Sequence, residues 1–335
     1  MKSFERIQPR SWDEAASSLA AARKSGKSAE AKGAGTELLD RLKEYNLAPD
    51  QIVDLRRLTS HNSIRRNPSG GASIGALVTL TGVAEGLRTD FPALADACEG
   101  AATPQIRNAA TLAGNLCQRP RCWYFRSSEF QCLKKGGVEC LAKSGENEFH
   151  AVFGNNTCAI VHPSAAGVAL VALNARIETL AAGGGRTLAA ADFFVRPEID
   201  IFAENALKPG ELVVEIHVDS PQGLRSAYRK IKQKQAFDWP LADAAASWRE
   251  EGGAAKDVRI VIGSAAPVPW RAKAAEAFVE GKKIDAALAV RASQAALEGA
   301  TPLGKNAYKL PMVAAVVRRT LLASAGLPDG TEEHG

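Results

Sequence analysis

The stretch Lys32-Gly33-Ala34-Gly35-Thr36-Glu37-Leu38-Leu39 decides the fold. A short strand leads into it, its glycines make a tight turn, and a helix over 37–45 leaves it. Pro49 ends that unit, and Gln51-Ile52-Val53-Asp54-Leu55 reads as the next strand. The order strand, helix, strand within about 30 residues argues a small parallel-sheet lobe. Small residues between a strand and a helix let backbone N–H groups approach a diphosphate, and the helix N-terminus adds partial positive charge. The stretch is not the G-x-G-x-x-G fingerprint, and no acidic residue follows about 20 positions later in a suitable strand. Alone, it reads equally well as a plain tight turn.

Working outward, Ser11-Trp12-Asp13-Glu14 is a capping-box pattern that opens a helix over 11–24. Downstream, a second region over 58–222 carries strands at 72–77 and 211–218, helices at 81–88, 91–102 and 163–173, and a hairpin across Gly183-Gly184-Gly185. Thr111-Leu112-Ala113-Gly114-Asn115 is expected as a strand running into a turn. Its small residues again suit close approach to a ligand, with the Thr111 hydroxyl and Asn115 amide as hydrogen-bonding groups. A small-residue strand packed under a helix explains the same pattern. A third region over 223–327 places strands first and helices last, an α+β arrangement with helices on one sheet face. The expected units are therefore 1–57, 58–222 with an ordered loop at 117–160, 223–327, and a polar, frayed tail at 328–335.

The chain has 335 residues, 46% of them hydrophobic and 24% charged, with a net charge of +5. These values fit a folded protein of two or three domains and give no hint of nucleic acid. No run of about 18 apolar residues exists to span a membrane, and the N-terminus lacks the apolar core of a signal peptide.

Five of the six cysteines fall between 117 and 158, and the sixth is Cys98. A disulfide scaffold is not expected in a chain of this length without a signal. Cys122, Cys132, Cys140 and Cys158 are spaced too widely for C-x-x-C zinc knuckles. Four spread thiolates on a wrapping loop suit a cubane iron–sulfur cluster, which takes one Cys per iron. Arg119, Arg121, Arg126, Lys134, Lys135 and Lys143 outnumber Glu129 and Glu139 and are expected to offset the charge of such a cluster. Structural zinc and inert buried thiols remain open readings of spacing alone. The histidines form no i, i+4 metal pair, and His217 is expected to face solvent from its strand. No nucleophile elbow, Walker loop or Cys–His nucleophile signature is present.

Taken together, these residues resemble the flavin-binding medium subunit of the molybdenum hydroxylases, the family of xanthine dehydrogenase, carbon monoxide dehydrogenase and aldehyde oxidoreductase. The likeness covers essentially the whole chain. It is most specific at 31–39, 103–116, His162-Pro163-Ser164, 168–175, Asp192-Phe193-Phe194, 207–214, Tyr228-Arg229-Lys230-Ile231 and 308–321. The segment from Arg121-Cys122-Trp123-Tyr124-Phe125-Arg126 to His150-Ala151-Val152-Phe153-Gly154 is similar to a narrower branch, whose flavin subunit carries an extra [4Fe–4S] loop.

The resemblance implies an α+β fold: a two-lobed FAD-binding domain of the vanillyl-alcohol-oxidase and molybdenum-hydroxylase type, followed by a C-terminal α+β domain. It implies FAD on Lys32, Gly33, Ala34, Gly35, Thr36, Glu37 and Leu38, with Thr111, Gly114 and Asn115 on its second side and Lys230 near the flavin. Ala165 stands where related subunits have an acidic flavin contact, a departure from the pattern. Cys122, Cys132, Cys140 and Cys158 are the expected cluster ligands. Cys117 is the reserve for Cys158, and Cys98 is a buried small hydrophobe. No side chain of this chain is expected to be catalytic.

The implied role is an electron-transfer subunit of a heterotrimer. A molybdenum-cofactor large subunit would oxidise an aldehyde or N-heterocycle, and a [2Fe–2S] small subunit would pass electrons to FAD here and on to an external acceptor. Two rivals are a free-standing FAD oxidase or dehydrogenase and a zinc-stabilised binding protein. By its own sequence the chain is expected in the cytoplasm, or in the periplasm if a partner carries a twin-arginine signal.

Overall fold

The computed structural model describes residues 2–234 and 236–329. The first lobe is the expected strand–helix–strand unit with one addition. Its order is β1 (Glu5–Ile7), α1 (Trp12–Lys24), β2 (Ala29–Lys32), α2 (Leu38–Lys43) and β3 (Gln51–Asp54). The three strands pair in parallel in the order β1-β3-β2. The sequence reading did not anticipate β1, because three half-polar residues carry no period. Ser11 caps α1 by accepting from the Glu14 N–H at 3.1 Å, and the Glu14 carboxylate accepts from the Arg10 N–H at 2.7 Å. Trp12, Ala15, Ala16, Leu19 and Ala22 fall on one face and are buried.

The second lobe runs β4 (Ile64–Arg66), β5 (Ala72–Gly75), α3 (Leu80–Leu87), α4 (Pro92–Glu99), α5 (Pro104–Arg107), α6 (Leu112–Leu116), α7 (Trp123–Arg126), α8 (Ala165–Ala172), β6 (Arg176–Ala181), β7 (Gly184–Ala189), α9 (Ala190–Phe193) and β8 (Leu212–Val218). Its antiparallel sheet has the order β4-β5-β8-β6-β7. Residues 111–115 are not the strand expected from their composition. The Thr111 hydroxyl accepts from the Gly114 N–H at 3.2 Å and so caps α6, whose Leu112 and Leu116, four apart, are both buried. Cys98 is buried inside α4, as expected of a small hydrophobe.

The third unit has β9 (Leu224–Lys232), β10 (Pro240–Glu251), β11 (Ala254–Gly263), β12 (Trp270–Arg271), α10 (Lys273–Val279), α11 (Ala286–Ala295) and α12 (Lys309–Ser324). Its antiparallel sheet is β12-β11-β10-β9, with the helices packed against it. Gly252 and Gly253, at φ +60° and +80°, make the left-handed turn between β10 and β11. The tail expected at 328–335 lies outside the described residues from 330 onward. The fold is the α+β architecture anticipated above.

Among the described residues three buried clusters result: one joins both lobes to Tyr228, Ala245, Val261 and Val268, one fills the third unit, and a small one packs Leu38, Leu42 and Ile52 in the first lobe. Val152 and Phe153, from the end of the cysteine segment, belong to the second core. Their N–H groups both donate to the Ala265 carbonyl, and the Thr301 N–H donates to Val152. The cysteine segment is thus anchored on a unit that is distant in sequence.

The junction of β5 with the chain before it tolerates no side chain. A Cβ on Gly75 would sit 2.2 Å from the backbone carbonyl of His61. Gly75→Ala is expected to lower stability by about 1–3 kcal/mol through overpacking. Thermal unfolding followed by circular dichroism checks this, with Gly183→Ala, where no atom lies within 4 Å, as the neutral control.

Candidate functional site

A cleft of about 520 Å³ opens beside the turn after β2. Lys32, Gly33, Ala34, Gly35, Thr36, Glu37 and Leu38 line it, with Thr111 and Gly114 on the facing wall. Gly35 sits at φ +91°, a conformation open to glycine at little cost. No backbone carbonyl among the described residues accepts from the N–H groups of Ala34 through Leu38. Free N–H groups in succession on a tight turn suit an anionic ligand. The facing wall is equally close. A Cβ on Gly33 would meet the Thr111 hydroxyl at 3.0 Å, and one on Gly114 would meet it at 2.9 Å.

The charge in this cleft is mixed and ordered. Asp54 is buried and ion-paired with Arg6 at 2.7 Å, Arg56 at 2.8 Å and Lys32 at 3.5 Å. That anchor lays the Lys32 stem under the turn, where Lys32 Cε is 2.8 Å from the position a Gly35 Cβ would take. Arg41 and Arg119 also face the cleft. Burial pushes the Glu30 carboxyl up from its ordinary range, against the pull of Arg41 and Arg119.

A second cavity of about 350 Å³ adjoins the first, sharing Thr36, Glu37 and Gly114 with it. It is lined further by Asn115, Ala165, Tyr228, Lys230 and Trp239. The Asn115 Oδ1 accepts from the Ser164 hydroxyl at 2.7 Å, which leaves its amide nitrogen for a ligand. Lys230 donates to the Gly100 carbonyl. Burial lowers its pKa. All eleven residues expected to touch a flavin cofactor therefore fall on these two joined cavities. Tyr228, whose hydroxyl donates to the buried Asp243 at 3.0 Å, is a wall residue that the sequence reading quoted without assigning.

The four spread cysteines come together on the far side of Arg121. A third cavity, sharing Arg121, Pro163, Asp238, Trp239 and Pro240 with the second, reaches Cys122. Cys122 lies within electrostatic reach of Cys132 and Cys140, and the free Cys140 and Cys158 thiols hydrogen-bond to each other. Burial pushes the Cys122 thiol up to about 11, against donation from the Phe125 and Tyr124 N–H groups. Cys140 is pushed down by its bond to Cys158, helped by the Ala159 and Ala142 N–H groups, while that same bond and burial push Cys158 up. Ala159 N lies 3.5 Å from Cys140 Sγ.

N–H groups aimed at sulfur favour thiolates, the form a metal takes. A zinc ion with ~2.3 Å bonds would hold tetrahedral sulfurs about 3.8 Å apart. Among the described residues, the ligand atoms of Glu178, Glu215 and His217 are the only such trio found mutually within 4.8 Å. No three of the cysteine sulfurs are mutually that close among the described residues. Cys117 stands apart, on the wall of the first cavity, and burial alone pushes its thiol up to about 12.

Two expectations need correction. The basic residues of the segment are spent mainly on carboxylates. Arg121 and Arg126 hold Glu37 at 2.6 and 2.8 Å, Arg126 also holds Glu44 at 3.0 Å, and Arg119 and Lys134 hold the buried Glu204. Among the thiols, Lys134 acts on Cys158 and Lys143 on Cys140. Nor does His217 simply face solvent. It bonds Ser73 at 3.0 Å and Glu178 at 3.1 Å across the sheet, while Arg65 neutralises Glu215 at 2.6 Å.

Comparison with known proteins places this geometry. Residues 2–221 match the FAD binding domain in molybdopterin dehydrogenase, and residues 226–324 match the CO dehydrogenase flavoprotein C-terminal domain. The chain belongs to the FAD-binding medium subunits of the molybdenum hydroxylase family. It is 37% identical over 248 residues to the aldehyde oxidoreductase FAD-binding subunit PaoB of Escherichia coli, covering 72% of this chain and 76% of that one. It is 26% identical to the carbon monoxide dehydrogenase medium chain of Hydrogenophaga pseudoflava, covering 96% of each. The solved carbon monoxide dehydrogenase of that organism superposes with a TM-score of 0.74 at 26% identity, over 96% of this chain and 97% of the other.

As a member of this family, the chain is an FAD-binding subunit of an oxidoreductase. Among the described residues no helix is long and apolar enough to cross a membrane. The family likeness leaves the arginine–carboxylate lattice around Glu37 unannounced. Only its raw material, a run of arginines at 119–126 and glutamates at 37 and 44, was visible in the sequence.

Replacing Gly35 tests the cleft. Gly35→Val would place a branched side chain at positive φ against Lys32 and Leu39. FAD affinity should fall by about 1–3 kcal/mol while the fold survives. Flavin fluorescence titration beside a far-ultraviolet spectrum reads both, and full flavin content in the variant contradicts the assignment.

Proposed function

We propose that this chain is the electron-transfer subunit of a heterotrimeric molybdenum-containing oxidoreductase and carries both FAD and a [4Fe–4S] cluster. The observation that carries this reading is the continuity of two seats. The flavin cavities and the thiol set share the wall formed by Arg121, Pro163 and Trp239. FAD and an iron–sulfur cluster, when bound, supply the electron exchange, and the protein supplies position and electrostatics.

The chain's own residues have distinct tasks. Gly33, Gly35 and Gly114 let backbone approach the diphosphate. Lys32 and Arg41 supply positive charge, and Asn115 offers an amide proton. Lys230 and Tyr228 bound the ring cavity. Cys122, Cys132, Cys140 and Cys158 hold the cluster, and Cys117 does not. The working units are 1–57 and 58–222 for FAD, 117–160 for the cluster and 223–327 as the third domain.

A [2Fe–2S] small subunit and a molybdenum-cofactor large subunit deliver electrons, which leave to an external acceptor. Relatives named as medium chains and FAD-binding subunits support that arrangement. Aldehyde oxidation is the favoured chemistry of the large subunit, because the 37% identical relative is named for it.

Iron and acid-labile sulfide per chain test the cluster. Each of Cys122→Ser, Cys132→Ser, Cys140→Ser and Cys158→Ser should lose iron while retaining most flavin, whereas Cys98→Ser and Cys117→Ser should retain both. Iron-free wild-type protein contradicts the cluster, and loss through Cys117 rather than Cys158 reassigns the fourth ligand. The partnership has its own measurement. The pure chain should show no turnover of aldehyde or xanthine with a dye acceptor, and robust turnover contradicts the relay role.

A further inference from the structure

His150 touches the thiol set from the side of the third domain. Its Nε2 lies 3.2 Å from Cys122 Sγ, and its Nδ1 is buried with no partner. A ring carrying its proton on Nδ1 would bury an unpaired donor and turn a lone pair toward a thiolate. A ring carrying it on Nε2 donates N–H to sulfur and leaves only an acceptor unpaired, which costs less.

The ring has little freedom to do otherwise. Its carbonyl accepts from Asn306 Nδ2 at 3.1 Å and from Lys309 Nζ at 3.2 Å, and both of those residues are fully buried. Its N–H donates to Asn147 O at 3.0 Å. Trp123 stands edge-on to it with 5.2 Å between ring centroids. Backbone N–H groups serve Cys122, Cys140 and Cys158, and His150 adds a side-chain donor whose loss leaves the backbone in place.

We propose that His150 tunes the reduction potential of the cluster through an Nε2–H···S hydrogen bond to Cys122, an inference that rests on the cluster reading above. Reduction adds one electron to the bound cluster, and no bond is made or broken. The reduced cluster is the more negative, so a donor to its sulfur stabilises it preferentially and raises the potential. His150 is a positioning residue, since it acts through Cys122.

The test is a redox titration of the full, iron-loaded chain followed by electron paramagnetic resonance, in wild type, His150→Phe and His150→Gln. Phe keeps the ring against Trp123 and removes the donor, while Gln keeps an N–H. The expected result is unchanged iron content, a midpoint potential shifted downward in His150→Phe, and a smaller shift in His150→Gln. Unchanged potential in an iron-loaded His150→Phe overturns the proposal and leaves the cluster standing. Loss of iron from both variants overturns it by making His150 a ligand or scaffold. Wild-type protein without iron overturns the cluster reading itself.

Discussion

The carboxylate of Glu37 is the tie between the two halves of the site. It belongs to the glycine turn that lines the first cavity, and it is gripped by Arg121 and Arg126 from the cysteine segment. Arg126 is nearly buried and also donates to the Pro120 carbonyl, so its charge is committed in both directions. Such a pair is a weak source of net stability, but removing one partner strands the other charge, at a cost of about 3–5 kcal/mol. The pair therefore fixes register. The turn cannot settle without the segment, and α7, which follows Cys122 directly, is held against α2.

From this tie the rest of the arrangement follows. One end of the cysteine segment is fastened to the first lobe by Arg126. The other end is fastened to the third unit by Val152, Phe153, and the grip of Asn306 and Lys309 on His150. Between these fixings the chain is free to be irregular, and its N–H groups turn toward sulfur rather than toward a ladder of their own. The cysteine segment has protein anchors at each end.

Much of this was legible before the structure. The turn at 33–35 declared itself through glycine flanked by a strand pattern and a helix pattern, and the long helices and hairpins carried clear periods. Thr111–Asn115 misled because small residues carry no period. The deciding signal there was the Thr111 hydroxyl capping three residues ahead, a cue that works equally before a helix and inside a turn. β1 was missed because its stability comes from pairing with β3, not from its own residues. The arginines were counted correctly and assigned wrongly. Composition registers an excess of positive charge, but which carboxylate each one meets depends on contacts across about 80 residues of chain. His150 was passed over for a related reason, since its partner Cys122 is 28 residues away and no spacing rule joins them.

The central claim is that the flavin seat and the cysteine segment form one mechanical unit through Glu37. Hydrogen exchange tests it most directly, by comparing the apoprotein with the FAD-loaded chain and repeating the pair in Glu37→Gln. The account predicts that FAD slows exchange at 29–41 and 111–116, and also across 122–150, where no flavin contact is assigned. In Glu37→Gln the protection of 122–150 should be lost while that of 111–116 persists. Protection confined to the cavity residues in the wild type, with 122–150 exchanging at one rate with and without FAD, would contradict it.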